Sequence, residues 1–270
     1  MEKKEPVYKI NVLHVANVIN SDQSNHVLKY HQGEKCNSPT YSYLITGENI
    51  PPMLVDTGIM ERFPQIMRRL GMDGVILKTY EEALGELGYK LEDIKVILHT
   101  HLHIDHAGND DLFPNAKIIM PRKELMFAVA GIMDEQYPAE YITYLVEQSH
   151  VPGRMRLIDC DINIAPGIRL EINEAHTWGS MNICVNTRKG LAIMCGDVIY
   201  DETLQCHEND VFLDVAEQCK NPIQGFGDRP TGNNWNNWAA KMGVVDVMSK
   251  ADVVLPSHDP RVVQLYGYEI

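Results

Sequence analysis

Positive charge is what this chain has least of. Lys and Arg number 24 against 37 Asp and Glu, a formal charge of −13 over 270 residues with histidine neutral. That balance argues against a phosphate backbone as the main partner, since two polyanions repel, and against adhesion to anionic membranes. A metal site could still reverse the sign locally, so small anionic or neutral substrates stay open. Long apolar runs are missing too, and no stretch approaches the ~18 residues of a spanning helix. After Met1-Glu2-Lys3-Lys4-Glu5-Pro6 comes no apolar signal-peptide core. The six cysteines (Cys36, Cys160, Cys184, Cys195, Cys206 and Cys219) form no Cys-x-x-Cys pair and show no regular spacing. They read as reduced, mostly buried small hydrophobes, and the expected address is the cytoplasm. No low-complexity tract, repeat or Ser/Gly linker cuts the chain.

What is present is ordinary for a folded protein, with 44% hydrophobic and 23% charged residues. A chain of this length buries about three-quarters of the surface it would expose unfolded, so it needs no staple to fold. The patterning predicts strands over 9–18, 40–46, 53–55, 94–98, 155–158, 168–172, 181–185, 191–194 and 253–255. Helical spacing occupies 60–70, 80–88, 121–149 and 235–249, with Pro138 breaking the third of these. Strands and helices mixed through both halves predict one layered α/β domain over 1–270. It would carry a helical insert at 121–150 and a long loop at 204–234 rich in Gly, Asn and Pro. Loops of that length are usually functional or mobile.

The eleven histidines are unevenly placed: His99, His101, His103 and His106 fall within eight residues, around His101-Leu102-His103-Ile104-Asp105-His106. A solvated polar turn is the competing reading, but chance produces this pattern in roughly one chain per thousand. A strand puts residues i and i+2 on one face, so His101 and His103 could grip one cation as the strand ending at 98 frays. Asp105 and His106, at the following turn, could face a second. Imidazole and carboxylate without thiolate suit zinc, with iron, manganese and cobalt open. Four ligands so close in sequence cannot complete two coordination spheres, so others must come from far along the chain. The candidates are His176, Asp197 and His258, each just past a predicted strand. His14, His26, His31, His150 and His207 lack that setting and read as surface or satisfied histidines. His99, deeper in its strand, reads as a core group or one that braces a ligand.

In the order Asp56-Thr57-Gly58, His101-x-His103-x-Asp105-His106, His176, Asp197 and His258, the sequence resembles the metallo-β-lactamase superfamily over nearly its whole length. The resemblance implies an αββα sandwich of two mixed β-sheets flanked by helices, with two divalent metal ions at one edge, zinc by donor type. It implies that His101, His103 and His176 hold the first metal, that Asp105, His106 and His258 hold the second, and that Asp197 bridges them. Asp56 would orient ligands through hydrogen bonds. Asp197-Val198-Ile199-Tyr200 is similar to the Asp-x-x-Tyr of N-acyl homoserine lactonases, in which the tyrosine hydroxyl reaches the substrate carbonyl, and His258-Asp259 near the C-terminus is also like that subgroup. Asp197 in place of cysteine separates the chain from zinc β-lactamases. The intact His-x-His-x-Asp-His separates it from the flavodiiron reductases. Two departures bear on the substrate: Trp178 stands where the family often has proline, and the connection from Tyr200 to Trp235 is long.

The function that follows is a dinuclear hydrolase of a small cyclic ester resembling an N-acyl homoserine lactone. In that reading two metals would supply the hydroxide that attacks the carbonyl, the Tyr200 hydroxyl would donate to the carbonyl oxygen, and Asp105 would pass a proton to the leaving oxygen. Tyr200 as a packed neighbour of the site is the plainer alternative. Other functions stay open: a thioesterase like glyoxalase II, a lactam or amide hydrolase, a mononuclear-iron oxidoreductase of the persulfide dioxygenase type, and a binder that sequesters a ligand without turnover. The superfamily's nucleases are disfavoured by the charge. The expected partner is a small molecule, with no nucleic acid and no membrane, and a homodimer is compatible with the pattern. Trp178, two residues past a ligand, is expected close to the metals and able to stack on a flat substrate. Leu125, Met126, Phe127, Val129, Ile132, Met133, Tyr137, Tyr141, Tyr144 and Leu145 could line an acyl slot, although helix packing needs the same stripe. Phe212, Phe226, Trp235 and Trp238 are lid candidates, the last two alternatively a staple for the final helix.

Overall fold

Successive side chains of a strand point to opposite faces, and that alternation sorts its apolar residues into layers. The structure is a computed structural model describing residues 5–131, 135–205 and 230–270. One sheet runs in the order β4-β1-β2-β3-β5-β6-β7 and the other in the order β12-β11-β10-β9-β8. The first comprises β1 (Lys9–Asp22), β2 (Lys35–Thr46), β3 (Met53–Val55), β4 (Asp73–Ile76), β5 (Val96–Leu98), β6 (Lys117–Pro121) and β7 (Met155–Ile158). The second comprises β8 (Ile162–Ala165), β9 (Ile168–Ile172), β10 (Met181–Thr187), β11 (Gly190–Gly196) and β12 (Val253–Pro256). Both are mixed: β3, β5, β6 and β7 pair in parallel, as do β11 and β12, and the other pairs are antiparallel.

Three apolar clusters follow from the alternation. Met53, Val55, Leu98 and Ile119 of the first sheet meet Leu170, Ile183, Met194 and Leu255 of the second, forming the core between the sheets. The opposite face of the first sheet, with Leu54, Ile97, Ile118 and Met120, packs under helices. These include Arg122–Val129 and Ala139–Ser149, through Leu125, Phe127, Tyr141 and Leu145. The opposite face of the second sheet, with Cys184, Ile193, Cys195 and Val254, packs under helix Asn237–Lys250 through Val244 and Val247. The layers are therefore α, β, β and α. No helix among the described residues is long and apolar enough to cross a membrane.

Several local expectations change. The helical pattern at 60–70 becomes a 3-10 helix, Pro64–Leu70. The short strands β4, β6 and β8 fall where no strand is expected. Strand β5 stops at Leu98, so His101 and His103 lie in a loop and not on a fraying strand. Of the acyl-slot candidates, Leu125, Phe127, Tyr137, Tyr141 and Leu145 are core residues, Met126 and Val129 are exposed, and Ile132 and Met133 lie outside the described residues. Trp238 is 72% exposed and staples nothing, whereas Trp235 donates from Nε1 to the Glu174 carbonyl at 2.6 Å. Cys184 and Cys195 are buried, but Cys36 is half-buried and Cys160 exposed, all four with free thiols. Cys206, Cys219, His207, Phe212, Phe226 and most of the 204–234 loop lie outside the described residues.

The end of β11 approaches the segment after β5 closely. Gly196 has φ +54°, and a Cβ there would lie 2.5 Å from Thr100 Oγ1 and 2.8 Å from Thr100 Cβ. Only glycine meets both the left-handed backbone and the contact. Gly196→Ala should therefore lower the urea midpoint by the equivalent of about 1–3 kcal/mol, while alanine at open Gly85, which has nothing within 4 Å, should not.

Candidate metal centre

Every candidate ligand follows the C-terminal end of a strand or sits in the turn joining two. His101 to His106 follow β5, His176 lies between β9 and β10, Asp197 follows β11, and His258 follows β12. These ends share one rim, since the residues that follow β5 come within contact of those that follow β11 and β12. The structure brings all seven residues together in two groups: His101, His103, His176 and Asp197, and beside them Asp105, His106 and His258. The donor atoms within each group lie within 4.8 Å of one another.

Asp197 spans the groups. Its Oδ2 lies 3.8 Å from His101 Nε2 and 3.5 Å from His176 Nε2. Its Oδ1 lies 3.0 Å from His106 Nε2 and 3.2 Å from His258 Nε2. Asp105 closes the second group at 3.7 Å from His106 Nε2 and 3.4 Å from His258 Nε2. Asp105 is 9% exposed, whereas the other six are almost fully enclosed.

The outer nitrogens of several rings are tied down. His106 donates from Nδ1 to Asp56 Oδ2 at 2.9 Å, and His258 donates from Nδ1 to the Pro39 carbonyl at 2.7 Å. The Thr100 hydroxyl donates to Asp56 Oδ2 at 2.7 Å, which uses its only proton. The 3.0 Å contact from His101 Nδ1 to that hydroxyl oxygen must then be a donation by the ring. His101, His106 and His258 thus each present a lone pair on Nε2 to the centre. Asp56 also accepts from the Thr100 backbone at 2.8 Å. It sits at φ +58°, a conformation that aspartate tolerates better than bulkier residues.

The donor set fits divalent cations. Among the described residues, His101 Nε2, His103 Nε2, His176 Nδ1 and Asp197 Oδ1 are buried without a hydrogen-bond partner. Imidazole nitrogens also face each other, with His176 Nε2 3.0 Å from His103 Nδ1 and His258 Nε2 3.3 Å from His106 Nε2. Burial and the neighbouring imidazoles hold His101 and His103 well below the usual histidine range, and burial pushes His176 down to about 4. These rings are neutral at pH 7, as ligands must be. Burial also disfavours charge on His106 and His258, but Asp197 and Asp105 override it and hold both above the ordinary value. The second group thus draws positive charge, which a cation supplies as well as protons do.

Some participants carry no signal in the sequence. Glu124, in the first turn of its helix, is fully buried. It accepts from the Leu102 backbone at 2.8 Å, Thr177 Oγ1 at 2.5 Å, the Gly179 backbone at 3.2 Å and the Tyr137 hydroxyl at 3.1 Å. One carboxylate thereby joins the loop of His101 and His103 to the loop of His176. A Cβ at Gly179 would lie 2.1 Å from the Glu124 nitrogen, so the second loop approaches the helix only as glycine. Asp110 is equally hidden. It faces His99 Nε2 at 2.9 Å and accepts from Thr57 Oγ1 at 2.8 Å. Burial alone would lower His99, but Asp110 and Asp56 raise it to about 9. The Trp178 ring lies 6.3 Å from Phe127, with Lys123 Nζ 5.5 Å above it. His14 pairs with Asn17 and His31 with Glu34, and His150 is exposed. His26 differs, being stacked on Tyr200. The Tyr200 hydroxyl donates to Asp197 Oδ2, and burial followed by the Asp197 charge keeps it protonated well above its ordinary range.

A model of the Metallo-beta-lactamase superfamily matches residues 37–258. The chain belongs to that superfamily and is a metal-dependent hydrolase. Among its relatives, an N-acyl homoserine lactonase of Bacillus cereus is 31% identical over 179 residues, 62% of this chain and 67% of the relative. The fold matches a solved N-acyl homoserine lactone hydrolase, which has N-hexanoyl-L-homoserine bound at its catalytic metal center, at TM-score 0.70 and 23% identity over 96% of each chain. It also matches AidC, a dizinc quorum-quenching lactonase, at TM-score 0.64 and 15% identity, over 96% of this chain and 89% of AidC.

A carboxylate facing both groups should matter to both. Asp197→Ala is expected to lose more bound metal than Asp105→Ala under the same dialysis, measured by elemental analysis. Equal retention in the two variants contradicts a shared role for Asp197.

Proposed function

We propose that the chain, acting as one metallo-β-lactamase-like domain over 1–270, opens small cyclic esters of the N-acyl homoserine lactone kind. The observation that carries this reading is the placement of Asp197 across both groups with the Tyr200 hydroxyl upon it. His101, His103 and His176 would hold one cation, Asp105, His106 and His258 the other, and Asp197 both. Two divalent ions there, zinc by donor type, would supply a nucleophilic water at neutral pH and Lewis acidity toward the carbonyl.

The remaining work falls to side chains. Tyr200 stays a neutral donor at any physiological pH, so its proton can serve the ester carbonyl oxygen as negative charge gathers there. With a cation in each group Asp197 would be engaged on both sides, so shifting the hydroxyl to substrate would leave no carboxylate stranded. When the ring C–O bond breaks, the departing oxygen stays tethered and needs a proton. Asp105, the most open of the seven, can take one from the attacking water and return it to that oxygen. Asp56 and Glu124 hold the loops in register and do no chemistry themselves. The −13 charge leaves the electrophilic rim as the attraction for a substrate carbonyl.

The test is a panel of N-acyl homoserine lactones, β-lactams and thioesters, followed by proton release with the metal-loaded protein. The highest kcat/KM is expected on a lactone, and a thioester preferred to every lactone overturns the reading. Tyr200→Phe should keep its metals and lose roughly tenfold to a hundredfold in kcat. That is less than the 10²–10³ typical of a lone oxyanion donor, because the cations share the load. An unchanged kcat would make Tyr200 a packing residue.

A further inference from the structure

The ring of Tyr200 has an aromatic neighbour that nothing in the reaction requires. His26 ends the short helix Gln23–His26, in the connection between β1 and β2. Its imidazole stacks on Tyr200 with centroids 4.8 Å apart and planes 24° apart. Tyr200 stacks in turn on His258, at 4.9 Å and 15°. The tyrosine that hydrogen-bonds Asp197 is therefore in stacking contact with two imidazoles, one from a candidate metal ligand and one from a loop that supplies no ligand.

That loop is anchored for the purpose. Asp22 caps the helix by accepting from the Ser24 backbone at 2.9 Å, and its other oxygen accepts from the Gly33 backbone at 2.8 Å. The Gln23 backbone donates to Glu34 at 3.0 Å, and Leu28 donates to Pro230 at 3.1 Å. Gly232 and Asn233 both donate to the Asn25 carbonyl. Val27, next to His26, is fully buried. Cys36 Sγ lies 3.8 and 3.7 Å from the two nitrogens of the His26 ring. The backbone that carries the imidazole is thus tied on both sides of His26.

We propose that His26 is a positioning residue for Tyr200: its stacked ring fixes the plane of the tyrosine and hence the direction in which the hydroxyl points. Parallel aromatic contacts restrain the tilt of a ring as well as its place, and a donor must be aimed where charge develops to be of use. The inference rests on the role proposed above for Tyr200, and it makes the β1–β2 connection a determinant of turnover without contact to the reacting atoms.

The test uses His26→Leu, which keeps bulk without a π face, and His26→Phe, which keeps the face without the nitrogens. In the metal-loaded protein His26→Leu should retain its metals and lower kcat about three- to tenfold, with KM moving less than twofold. His26→Phe should recover most of that loss. In a Tyr200→Phe background, His26→Leu should cost almost nothing more, because no hydroxyl remains to be aimed. Additive losses would show that His26 acts on the substrate or the fold directly, and would overturn the proposal. A second readout does not depend on the reaction. The ring signal of Tyr200 in tyrosine-labelled protein, assigned by its disappearance in Tyr200→Phe, should shift in His26→Leu and move back toward wild type in His26→Phe. If no lactone is opened but the signal shifts this way, the lactonase reading fails while the positioning contact stands. If the signal does not move, the proposal fails whatever the substrate.

Discussion

One buried carboxylate sets the geometry of the rim. Asp56 leaves β3 in a left-handed conformation and turns both oxygens toward the end of β5. There it accepts directly from His106 and, through the Thr100 hydroxyl, governs His101. One imidazole in each group thus has its tautomer decided by the same residue. Burial disfavours the Asp56 charge, yet His106 and His99 hold its carboxyl below the usual range, so it remains an acceptor. The neighbouring backbone follows suit: Thr57 donates to the His106 carbonyl, Gly108 donates to Gly58, and the Asn109 side chain donates to Thr57 and Ile59. The Asp-Thr-Gly segment and the histidine loop therefore fold as a single piece.

The charges are arranged against the trend of the whole protein. Three buried carboxylates, Asp56, Asp105 and Asp197, stand within one cluster of imidazoles, an expensive concentration unless cations or protons answer it. The rings of the first group are kept neutral and those of the second are pulled toward protonation. Both conditions suit a centre built to receive positive charge from outside the chain. Glu124 adds a fourth enclosed carboxylate. It is raised by burial despite its four hydrogen bonds, and it binds the loop of His101 and His103 to that of His176.

Most of this was readable before any coordinate. His-x-His-x-Asp-His is dense enough to announce itself, and His176, Asp197 and His258 could be picked because each follows an apolar run that ends in polar residues. The strands β3 and β11 were legible as short apolar runs, whereas the αββα layering came from the resemblance to the superfamily. What could not be read depends on tertiary burial. Glu124 looks like any acidic residue in a first helical turn, where the helix dipole favours it anyway. Asp110 sits among polar neighbours in Asn109-Asp110-Asp111, with no hint that it faces His99. His26, in the polar run Ser24-Asn25-His26, offers no sequence cue to its contact with Tyr200. Strands as short as β4 and β8 have too few residues to establish a period, and β6 adjoins a helix whose apolar pattern absorbs it. The contact of Trp178 with Phe127 likewise has no cue in its sequence neighbours.

The central claim is that these seven side chains make two cation sites and not one. Its most direct test is the stoichiometry of metal bound after equilibrium dialysis of wild-type protein against zinc, counted by elemental analysis against protein from amino-acid analysis. Two equivalents per chain are predicted, with the second lost first on replacing His258. A single equivalent, left unchanged by that replacement, would contradict the account.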